Sequence, residues 1–329
     1  MNRKICLVFT IIICLLILSI YGYCQKTPEF VIKYPHAHAR THPQGIGADL
    51  FAQRVEELSN GRIKVEVFPA GEMGDEMVTT DSVMMGTAQM GSQTCSELSP
   101  LAPEYDIFNL PFLFKSYSHL EKVLAEGSEL RDILVKSLEK NGLKVFGFTS
   151  SGLRNLYTKE PIKSIEDLKG KKIRVAQFEG ALAAFEALGA KTVPITFSEV
   201  YLAIQTGVVD GCETSLTGWL GAKLNEVAPH VTVLNYLDSG RAYFMNQKFF
   251  NSLPADLQEV VLTAADEHLK ATHQAYENGH DAVIQQVLKL DSTVTYLPLD
   301  PIIKMMQPVY EKINPTLGKE WIEKIQSAE

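Results

Sequence analysis

The sequence of 329 residues lacks the motifs that mark the common catalytic sites. It contains no P-loop, no G-x-S-x-G elbow, no H-E-x-x-H pair and no paired C-x-x-C. Gly45-Ile46-Gly47 lacks the third glycine of a dinucleotide-binding loop and lies too far after the first predicted strand. These absences predict a protein that is not an enzyme and needs no cofactor.

Cysteine is scarce as well, with five residues in the chain. Cys6, Cys14 and Cys24 lie in the N-terminal segment, so only Cys95 and Cys212 are left for the folded part. One pair does not make a disulfide framework. The sequence favours two free, partly buried thiols, and a bridge between them in an oxidising compartment stays the alternative.

The N-terminal segment has the pattern of a secretory signal peptide. Two basic residues precede an almost unbroken apolar run from Ile5 to Ile20. Cleavage before Gln25 makes residues 1–24 the signal peptide and predicts a periplasmic protein. The alternatives are an uncleaved membrane anchor, for which the apolar run is a little short, and a lipid on Cys24.

Positive charge is in deficit, since 31 Lys and Arg stand against 39 Asp and Glu and give a net charge of −8. Loss of Arg3 and Lys4 with the signal peptide removes two positive charges and takes the net charge from −8 to −10. A basic groove for nucleic acid is therefore not expected. Any anion site in this acidic protein must be a local, shielded group of cations.

Strands and helices alternate in two parts of the chain. The first part predicts a strand over 30–34, a helix over 45–58, a strand over 62–68, a helix over 75–85 and a strand over 87–90. The second part predicts a strand over 172–176, a helix over 179–188, a strand over 191–195 and a helix over 197–207. This βαβα order predicts parallel sheets, whose ligands lie outside the carboxyl ends of the strands. Between the two parts, Ser164 and Asp167 form a capping box, for which we expect a structural role.

Arg174 breaks the pattern of its predicted strand. Ile173 and Val175 fall on one face of the strand, and Lys172 and Arg174 fall on the other. A cation on an inward face costs free energy unless an anion meets it. Arg174 is therefore predicted to face an anion at a ligand-binding edge of the sheet.

A helical pattern over 255–290 would form a helix roughly 54 Å long at 1.5 Å per residue. One α/β domain has no use for such a helix, whereas two adjacent domains can share it. Since no flexible linker is present, we predict two α/β domains joined by several short crossings that form a hinge. Domain I is predicted to comprise 25–151 plus 240–279, and domain II to comprise 152–239 plus 280–329.

His36, His38 and His42 closely follow the first predicted strand. Alternate histidines at a strand end could bind the metal ion of a metal-dependent hydrolase. Such a site would need further ligands at later strand ends, whereas His268 and His273 fall on the predicted long helix. We therefore favour a helix that starts at His42-Pro43, with His36 or His38 packed in the core or lining a cleft as a neutral hydrogen-bonding group. No metal site is predicted.

Several segments, taken in order, resemble the DctP-type solute-binding proteins of TRAP (tripartite ATP-independent periplasmic) transporters. They are GLR at 152–154, PIKSIEDLKG at 161–170, KIRV at 172–175, ALGA at 187–190, PITFSEVY at 194–201 and QTGVVDG at 205–211. Earlier blocks, among them NGRI at 60–63 and LPF at 110–112, fall where that family has similar ones. The resemblance covers essentially the whole chain after the leader.

The resemblance implies the two-domain periplasmic binding protein fold, with the long helix spanning both domains, which close over an organic acid such as a dicarboxylate or sugar acid. It also implies delivery of this ligand to a sodium-driven permease with a small and a large membrane subunit. We expect a monomeric periplasmic receptor with no catalytic activity. A binding protein of an ABC importer, or a tethered sensor, would share the fold and the leader but not this string of motifs.

The resemblance also assigns ligand contacts in the predicted domain II. In that family the arginine of the K-I-R-V strand binds the ligand carboxylate, which implies this role for Arg174. Arg154 matches a second, less constant arginine. Phe197 matches an aromatic that packs on the ligand, with a core phenylalanine as the alternative. Ser198 is interpreted as the N-cap of its helix.

The segment after Gly211 departs from the family pattern. Many members continue with Gln-Glu-Asn, in which the asparagine bonds the carboxylate beside the arginine. Here Cys212-Glu213-Thr214 puts a threonine in that place. Thr214 can donate one hydrogen bond but lacks the second amide hydrogen. Glu213 and Thr214 are therefore candidate ligand-binding residues whose geometry is open.

In the predicted domain I, Glu76 and Thr94 are expected to hydrogen bond the rest of the ligand, together with His36 or His38. Such contacts would favour the closed state. Glu76 and Thr94 fall near positions that carry acidic contacts in relatives that bind sialic acid. Because Ala37 stands where those relatives have asparagine, sialic acid itself is not the expected ligand.

Overall fold

The computed structural model describes residues 27–287 and 292–328 of the chain. The predicted signal peptide over 1–24, the alternatives for Cys24 and the predicted end of the long helix at 288–290 lie outside the described residues. Of the helices in the described ranges, none combines the length and the apolar character that a bilayer span requires.

Strands and helices alternate along most of the chain. The strands are β1 (Phe30–Pro35), β2 (Ile63–Phe68), β3 (Met90–Thr94), β4 (Leu143–Thr149), β5 (Arg154–Thr158), β6 (Lys172–Val175), β7 (Lys191–Pro194), β8 (Gly211–Ser215), β9 (His230–Leu237), β10 (Arg241–Asn246) and β11 (Val294–Tyr296). The helices are α1 (Pro43–Leu58), α2 (Glu76–Met85), α3 (Tyr117–Val123), α4 (Glu129–Glu139), α5 (Glu179–Ala187), α6 (Val200–Gln205), α7 (Leu216–Gly221), α8 (Gln247–Ser252), α9 (Ala255–Val287), α10 (Leu299–Met305), α11 (Gln307–Ile313) and α12 (Lys319–Ser327). The predicted mixed α/β fold with a long helix is confirmed.

The strands form three sheets. β1 and β2 make a parallel pair, β10 lies between β3 and β4 in an antiparallel sheet, and the third sheet has the order β11-β9-β5-β8-β6-β7. In the third sheet β6 pairs in parallel with β7, as predicted, and also with β8. The prediction of a parallel sheet is wrong for β3, which pairs antiparallel with β10, and β5, which lies outside the predicted βαβα units, pairs antiparallel with β8 and β9. The partner of β3 is a strand far later in the chain, and the local order of strands and helices does not encode such a pairing.

Two local predictions need correction. The strand predicted over 87–90 begins at Met90, because Gly86 ends α2 in the left-handed region at φ 81° and the next two amides bond back to the Ser82 carbonyl. Ser198 does not cap a helix, since it lies inside a single 3₁₀ turn over Phe197–Glu199 that precedes α6. The capping box is confirmed, and its role is structural as expected: the Ser164 amide donates to Asp167 at 2.9 Å.

The two-stranded sheet shares one apolar core with a face of the antiparallel sheet, since Met90 and Met245 belong to it, and further cores lie on the other sheet faces. Ile32, Tyr34 and Phe51 pack between the β1–β2 pair and its helices, while Phe108 and Phe244 belong to a core beside β10. The six-stranded sheet buries other residues on its two faces, among them Phe185, Tyr236, Tyr157 and Trp219. Trp321 and Ile325 of α12 pack in the core that contains Phe108. The domain boundaries given above stay a prediction. They assign α12 to domain II, although this helix packs in the core that contains Phe108 of the predicted domain I.

Two short crossings connect the antiparallel sheet with the six-stranded sheet. The chain passes from β4 to β5 at 150–153 and returns from β9 to β10 at 238–240. Asp238 joins the two crossings, since its Oδ1 accepts from the amides of Ser151 at 3.1 Å and Gly240 at 3.0 Å. The Ser150 hydroxyl donates to the other oxygen of this buried carboxylate. The two crossings are therefore hydrogen bonded to one side chain.

The long helix α9 contacts elements from both parts of the molecule. Its 33 residues correspond to roughly 50 Å. It lies so close to α1 that a Cβ on Gly47 would come within 2.4 Å of the His268 ring and 2.0 Å of the Thr272 hydroxyl. Farther along α9, Gly279 lies beside Thr217 of α7. This helix thus runs from the β1–β2 layer to the six-stranded sheet.

Candidate functional site

A cavity of about 190 Å³ lies between the antiparallel sheet and the six-stranded sheet. It brings together seven of the nine residues predicted to bind a ligand: Arg174, Arg154, Phe197, Thr214, Glu76, Thr94 and His38. Glu213 and His36 do not line it. The other lining residues are Ala37, Gly71, Gly74, Asp75, Met77, Glu97, Ser151, Ala176, Gln177, Thr196, Ser198, Ser215 and Arg241.

Arg174 lies on β6 with its side chain only 4% exposed, and this small exposed part faces the cavity. Its Nε donates to the carbonyl of Ile195 at 2.8 Å, and its Nη1 donates to the carbonyl of Glu213 at 3.3 Å. Nη2 has no acceptor among the described residues. Burial lowers the pKa of Arg174, and the Glu213 carboxylate only partly offsets this. The guanidinium is thus held by main-chain carbonyls and keeps donor capacity for an anion in the cavity.

Arg154, at the start of β5, is neutralised by a buried carboxylate. Its Nη2 lies 2.8 Å from Oε1 of Glu213, and its Nε donates to Oε2 of the same side chain. Glu213 also accepts from the Ala176 amide at 2.7 Å and from the Tyr236 hydroxyl at 2.8 Å. Burial alone would raise the pKa of Glu213, but Arg154 and these donors hold it below its usual value. Glu213 therefore positions the arginines from behind the cavity wall.

Two aromatic rings lie against the arginines. Phe197 follows β7, and its ring centroid is 5.9 Å from Cζ of Arg174. The ring of Phe178 is 5.4 Å from Cζ of Arg154, but Phe178 is buried in the core. Phe197 also meets His38 edge-on, with ring centroids 5.1 Å apart. Phe197 thus touches residues from both sides of the cavity, whereas Phe178 only supports one arginine.

Thr214 and Ser198 complete this side of the cavity. Thr214 lies on β8, directly after Glu213, and its buried side chain reaches the cavity wall. A Cβ on Gly218 would lie 2.9 Å from the Thr214 hydroxyl, so the glycine leaves room for this side chain. Ser198 faces the cavity from the 3₁₀ turn instead of capping a helix. Both hydroxyls can donate one hydrogen bond to a ligand.

On the opposite side, Glu76 pairs with an arginine that the sequence did not indicate. Oε1 of Glu76 accepts from Nη2 of Arg241 at 2.6 Å, and Oε2 accepts from the Thr94 amide at 3.0 Å and hydroxyl at 2.9 Å. Burial alone would raise the pKa of Glu76, but Arg241 and Thr94 keep it below its usual value. Arg241 begins β10, opposite Thr94 of β3. Its partner lies 165 positions away in sequence, so no local pattern could have revealed the pair.

Glu97 and Asp75 add further carboxyl groups to this side. Glu97 accepts from Nε2 of Gln93 at 3.4 Å. Burial, followed by the charge of Glu76, raises the pKa of Glu97 to about 7. Asp75 caps α2 by accepting from the Val78 amide at 3.0 Å. Neither residue was among the predicted site residues, because a capping aspartate and a glutamate in a 3₁₀ turn carry no motif.

The three histidines after β1 pack as neutral rings. His38 stacks on His42 with ring centroids 4.0 Å apart and planes 15° apart. Burial, with Arg241 as a further cause, lowers the pKa of His38 well below its usual value and that of His36 to about 4. His42 caps α1 as predicted, since its Nδ1 accepts from the Gln44 amide at 3.2 Å. Only His38 lines the cavity.

No metal-binding arrangement is present within residues 27–287 and 292–328, where no three His, Cys, Asp or Glu side chains converge as ligands. His38 and His42 meet through their ring faces, so their nitrogen lone pairs do not point to a common centre. Cys95 and Cys212 are both free and buried, which confirms the favoured interpretation over a disulfide bridge. Burial raises the pKa of the Cys95 thiol well above its usual value and that of Cys212 to about 12.

Comparison with known proteins gives one consistent result. The model of the DctP family, described as bacterial extracellular solute-binding protein, family 7, matches residues 34–316. The C4-dicarboxylate-binding periplasmic protein DctP of Rhodobacter capsulatus is 29% identical over 303 residues, which cover 91% of this chain and 90% of the relative.

Two solved structures share the fold. A TRAP periplasmic solute-binding protein from Sulfurospirillum deleyianum with bound succinate superposes with a TM-score of 0.86 at 30% identity, covering 92% of this chain and 100% of the other. The sugar acid-binding protein of Advenella mimigardefordensis in complex with galactonate also gives a TM-score of 0.86 at 28% identity, covering 91% and 97%. The two similar proteins bind acids of different kinds.

Proposed function

Because the chain belongs to family 7 of the bacterial extracellular solute-binding proteins, we propose that it is the periplasmic receptor of a TRAP transporter and that it binds an organic carboxylate. Proteins of this family are substrate-binding receptors of transporters and not enzymes. The succinate bound to one similar structure and the galactonate bound to the other support a carboxylate as the ligand.

Arg174 is the observation that carries the proposal. Its guanidinium is buried at the cavity wall, where main-chain carbonyls hold Nε and Nη1 while Nη2 has no acceptor in the described part of the chain. A ligand carboxylate would give Arg174 a hydrogen-bonded anion. Each charge-assisted hydrogen bond between them would contribute about 1.5–3 kcal/mol. Arg154 and Thr214 would donate beside it, and Phe197 would pack on the ligand.

In this proposal the receptor is monomeric and closes around the ligand. Domain I (25–151 plus 240–279) would move against domain II (152–239 plus 280–329) at the crossings joined by Asp238. Glu76, Thr94 and His38 on the domain I side would hydrogen bond the part of the ligand that Arg174 does not hold. Ligand contacts to both walls would favour the closed state, because the open state can make only one set of them.

The carboxylate contact is tested by binding measurements on Arg174→Lys. A thermal-shift screen of monocarboxylates, dicarboxylates, keto acids and sugar acids would first identify a ligand, since saturation at 100 times Kd adds about 2.7 kcal/mol of stability. Calorimetry with that ligand should show at least about a tenfold loss of affinity in Arg174→Lys, because lysine keeps the charge but lacks the planar pair of donors.

Arg54→Lys is the matched control, since Arg54 forms a surface ion pair with Glu267 and its variant should bind like the wild type. Unchanged affinity in Arg174→Lys would refute the assigned contact. Absence of a shift with every acid in the screen would refute carboxylate binding.

Delivery to a TRAP permease is a separate part of the proposal. Cells that express the receptor with a small and a large TRAP membrane subunit should take up the identified acid only when a sodium gradient is present. Uptake that needs ATP instead would indicate an ABC importer, and binding without any uptake would indicate a sensor.

A further inference from the structure

We propose that the ligand carries one carboxylate and several hydroxyl groups, as sugar acids do, because Arg174 is the cavity arginine without a close carboxylate partner and the opposite wall presents carboxyl groups. This inference rests on the proposed function, since it takes a carboxylate bound at Arg174 as its starting point. The inference favours a sugar acid such as the galactonate of one similar structure over a dicarboxylate such as the succinate of the other. The reasons for this choice are the charges that line the cavity.

The wall formed by β5, β6 and β8 offers one unmatched cation. Arg154 and Arg174 both reach the cavity, but Glu213 forms two hydrogen bonds with Arg154. Glu213 lies 3.8 Å from Nη1 of Arg174, beyond hydrogen-bond distance. One ligand carboxylate at Arg174 would therefore complete the charge balance of this wall.

The opposite wall offers no cation for a second carboxylate. Arg241 is the arginine of that wall among the described lining residues, and Glu76 takes its charge at 2.6 Å. Asp75 and Glu97 line the same wall, and neither forms an ion pair within 4 Å in the described part of the chain, although Arg241 acts on Glu97 from a longer distance. A second ligand carboxylate would meet these like charges in a partly enclosed site, where such contacts are costly.

Hydroxyl groups fit this wall because they can donate hydrogen bonds to carboxylates. Asp75 has one oxygen outside its helix cap, and Glu97 has one oxygen that receives no hydrogen bond from a described residue. Gln177 and Ser151 add an amide and a hydroxyl at the cavity surface. The cavity volume of about 190 Å³ fits a ligand the size of a small polyhydroxy acid.

Competing acids test this inference directly. Calorimetry of the purified protein at pH 8 would compare galactonate and glucuronate, each with one carboxylate, against succinate with two and against galactose with none. We expect at least one sugar acid to bind 100-fold or more tightly than succinate, and galactose not to bind. Succinate binding as tightly as the better sugar acid would overturn the inference while leaving the carboxylate receptor intact. Absence of binding by all three acids would instead count against both.

A charge-removing variant tests the physical cause. Asp75→Asn/Glu97→Gln keeps the shape of both side chains, and asparagine is still a good helix cap. The ratio of sugar-acid affinity to succinate affinity should fall at least tenfold in this variant, mainly through tighter succinate binding. Glu259→Gln, which alters an exposed glutamate on α9, should leave the ratio unchanged. An unchanged ratio in the cavity variant would show that wall charge does not select the ligand.

Discussion

Two buried arginine–glutamate pairs flank the cavity, and they are arranged in opposite ways. Glu213 is completely buried behind Arg154, and its oxygens are occupied by Arg154, Ala176 and Tyr236. Glu76 has a side chain 14% exposed and itself lines the cavity beside Arg241. One wall therefore presents an available cation, which is Arg174 beside the Arg154–Glu213 pair. The other wall presents an available carboxylate, which is Glu76 itself.

This difference shows that a buried ion pair does not by itself identify a binding residue. What matters is which partner reaches the cavity and whether its hydrogen-bonding capacity is already used. Glu213 is essential to the proposed site only through the arginines that it positions. Glu76 is expected to act twice, since it neutralises Arg241 and presents oxygen atoms to the ligand.

The largest effect is expected when the more deeply buried pair is broken. Glu213→Gln leaves Arg154 buried without its anion and should lower the free energy of unfolding by about 3–5 kcal/mol. Glu76→Gln should cost less, because the Glu76 side chain is 14% exposed and water in the cavity can replace part of what it loses, whereas the Glu213 side chain is completely buried. Urea unfolding of the unliganded variants, monitored by circular dichroism, measures both values. Equal losses in the two variants would mean that the pairs do not differ in this way.

An acid-dependent loss of stability should come from the side of β1 and α1, where His36, His42 and His268 are buried. Burial lowers the pKa of His36 to about 4 and that of His268 to about 3, below the unfolded value near 6.5. As the pH falls below 6.5, the unfolded state takes up protons that the folded state does not, so folding stability decreases. Each such histidine should contribute about 1.4 kcal/mol per pH unit.

His268→Gln isolates one of these contributions. Between pH 5.5 and 4.5, the variant should lose about 1.4 kcal/mol less stability than the wild type, because one proton uptake is removed. Groups that titrate in the opposite direction, such as Glu97 with its pKa raised to about 7, are present in both proteins and cancel in the difference. His273→Gln provides a comparison on the same helix. Parallel pH profiles for wild type and His268→Gln would contradict the prediction.

The smallest effect is expected at Phe197, the ring that touches both walls. Phe197→Leu removes the contact with the Arg174 guanidinium and should weaken ligand binding about three- to tenfold, with little effect on stability. Calorimetry with the ligand found in the screen measures this change. Phe249→Leu alters a partly buried ring that packs on Phe30, remote from the cavity, and should not change affinity. If both variants bind equally well, Phe197 does not contact the ligand.

The sequence predicted the features that depend on local order. Arg174, Arg154 and Phe197 lie in an ordered string of motifs, and all three line the cavity. The long helix and the capping box at Ser164 were also predictable, because helical periodicity and caps are short-range patterns.

The missed features depend on contacts between distant segments. Arg241 enters the site because β10 lies between β3 and β4, a pairing that no local pattern encodes. Glu213 was expected to contact the ligand from its place in the Cys212-Glu213-Thr214 segment. Every residue of β8 is buried, so the sequence of this strand has no alternation that shows which side chains face the cavity. Sequence patterns can locate charged residues on buried strands. Packing decides whether each charged side chain points into the cavity or away from it.

The two free cysteines lie in different parts of the fold, Cys95 directly after β3 and Cys212 within β8. Neither side chain is exposed, and both thiols resist ionisation. A thiol reagent can therefore reach each one only while the surrounding structure is transiently open. Mass spectrometry after timed labelling would measure how fast the antiparallel sheet opens at Cys95 and how fast the six-stranded sheet opens at Cys212. No cysteine would have to be introduced for this measurement. A ligand that bridges the cavity should slow both labelling reactions together.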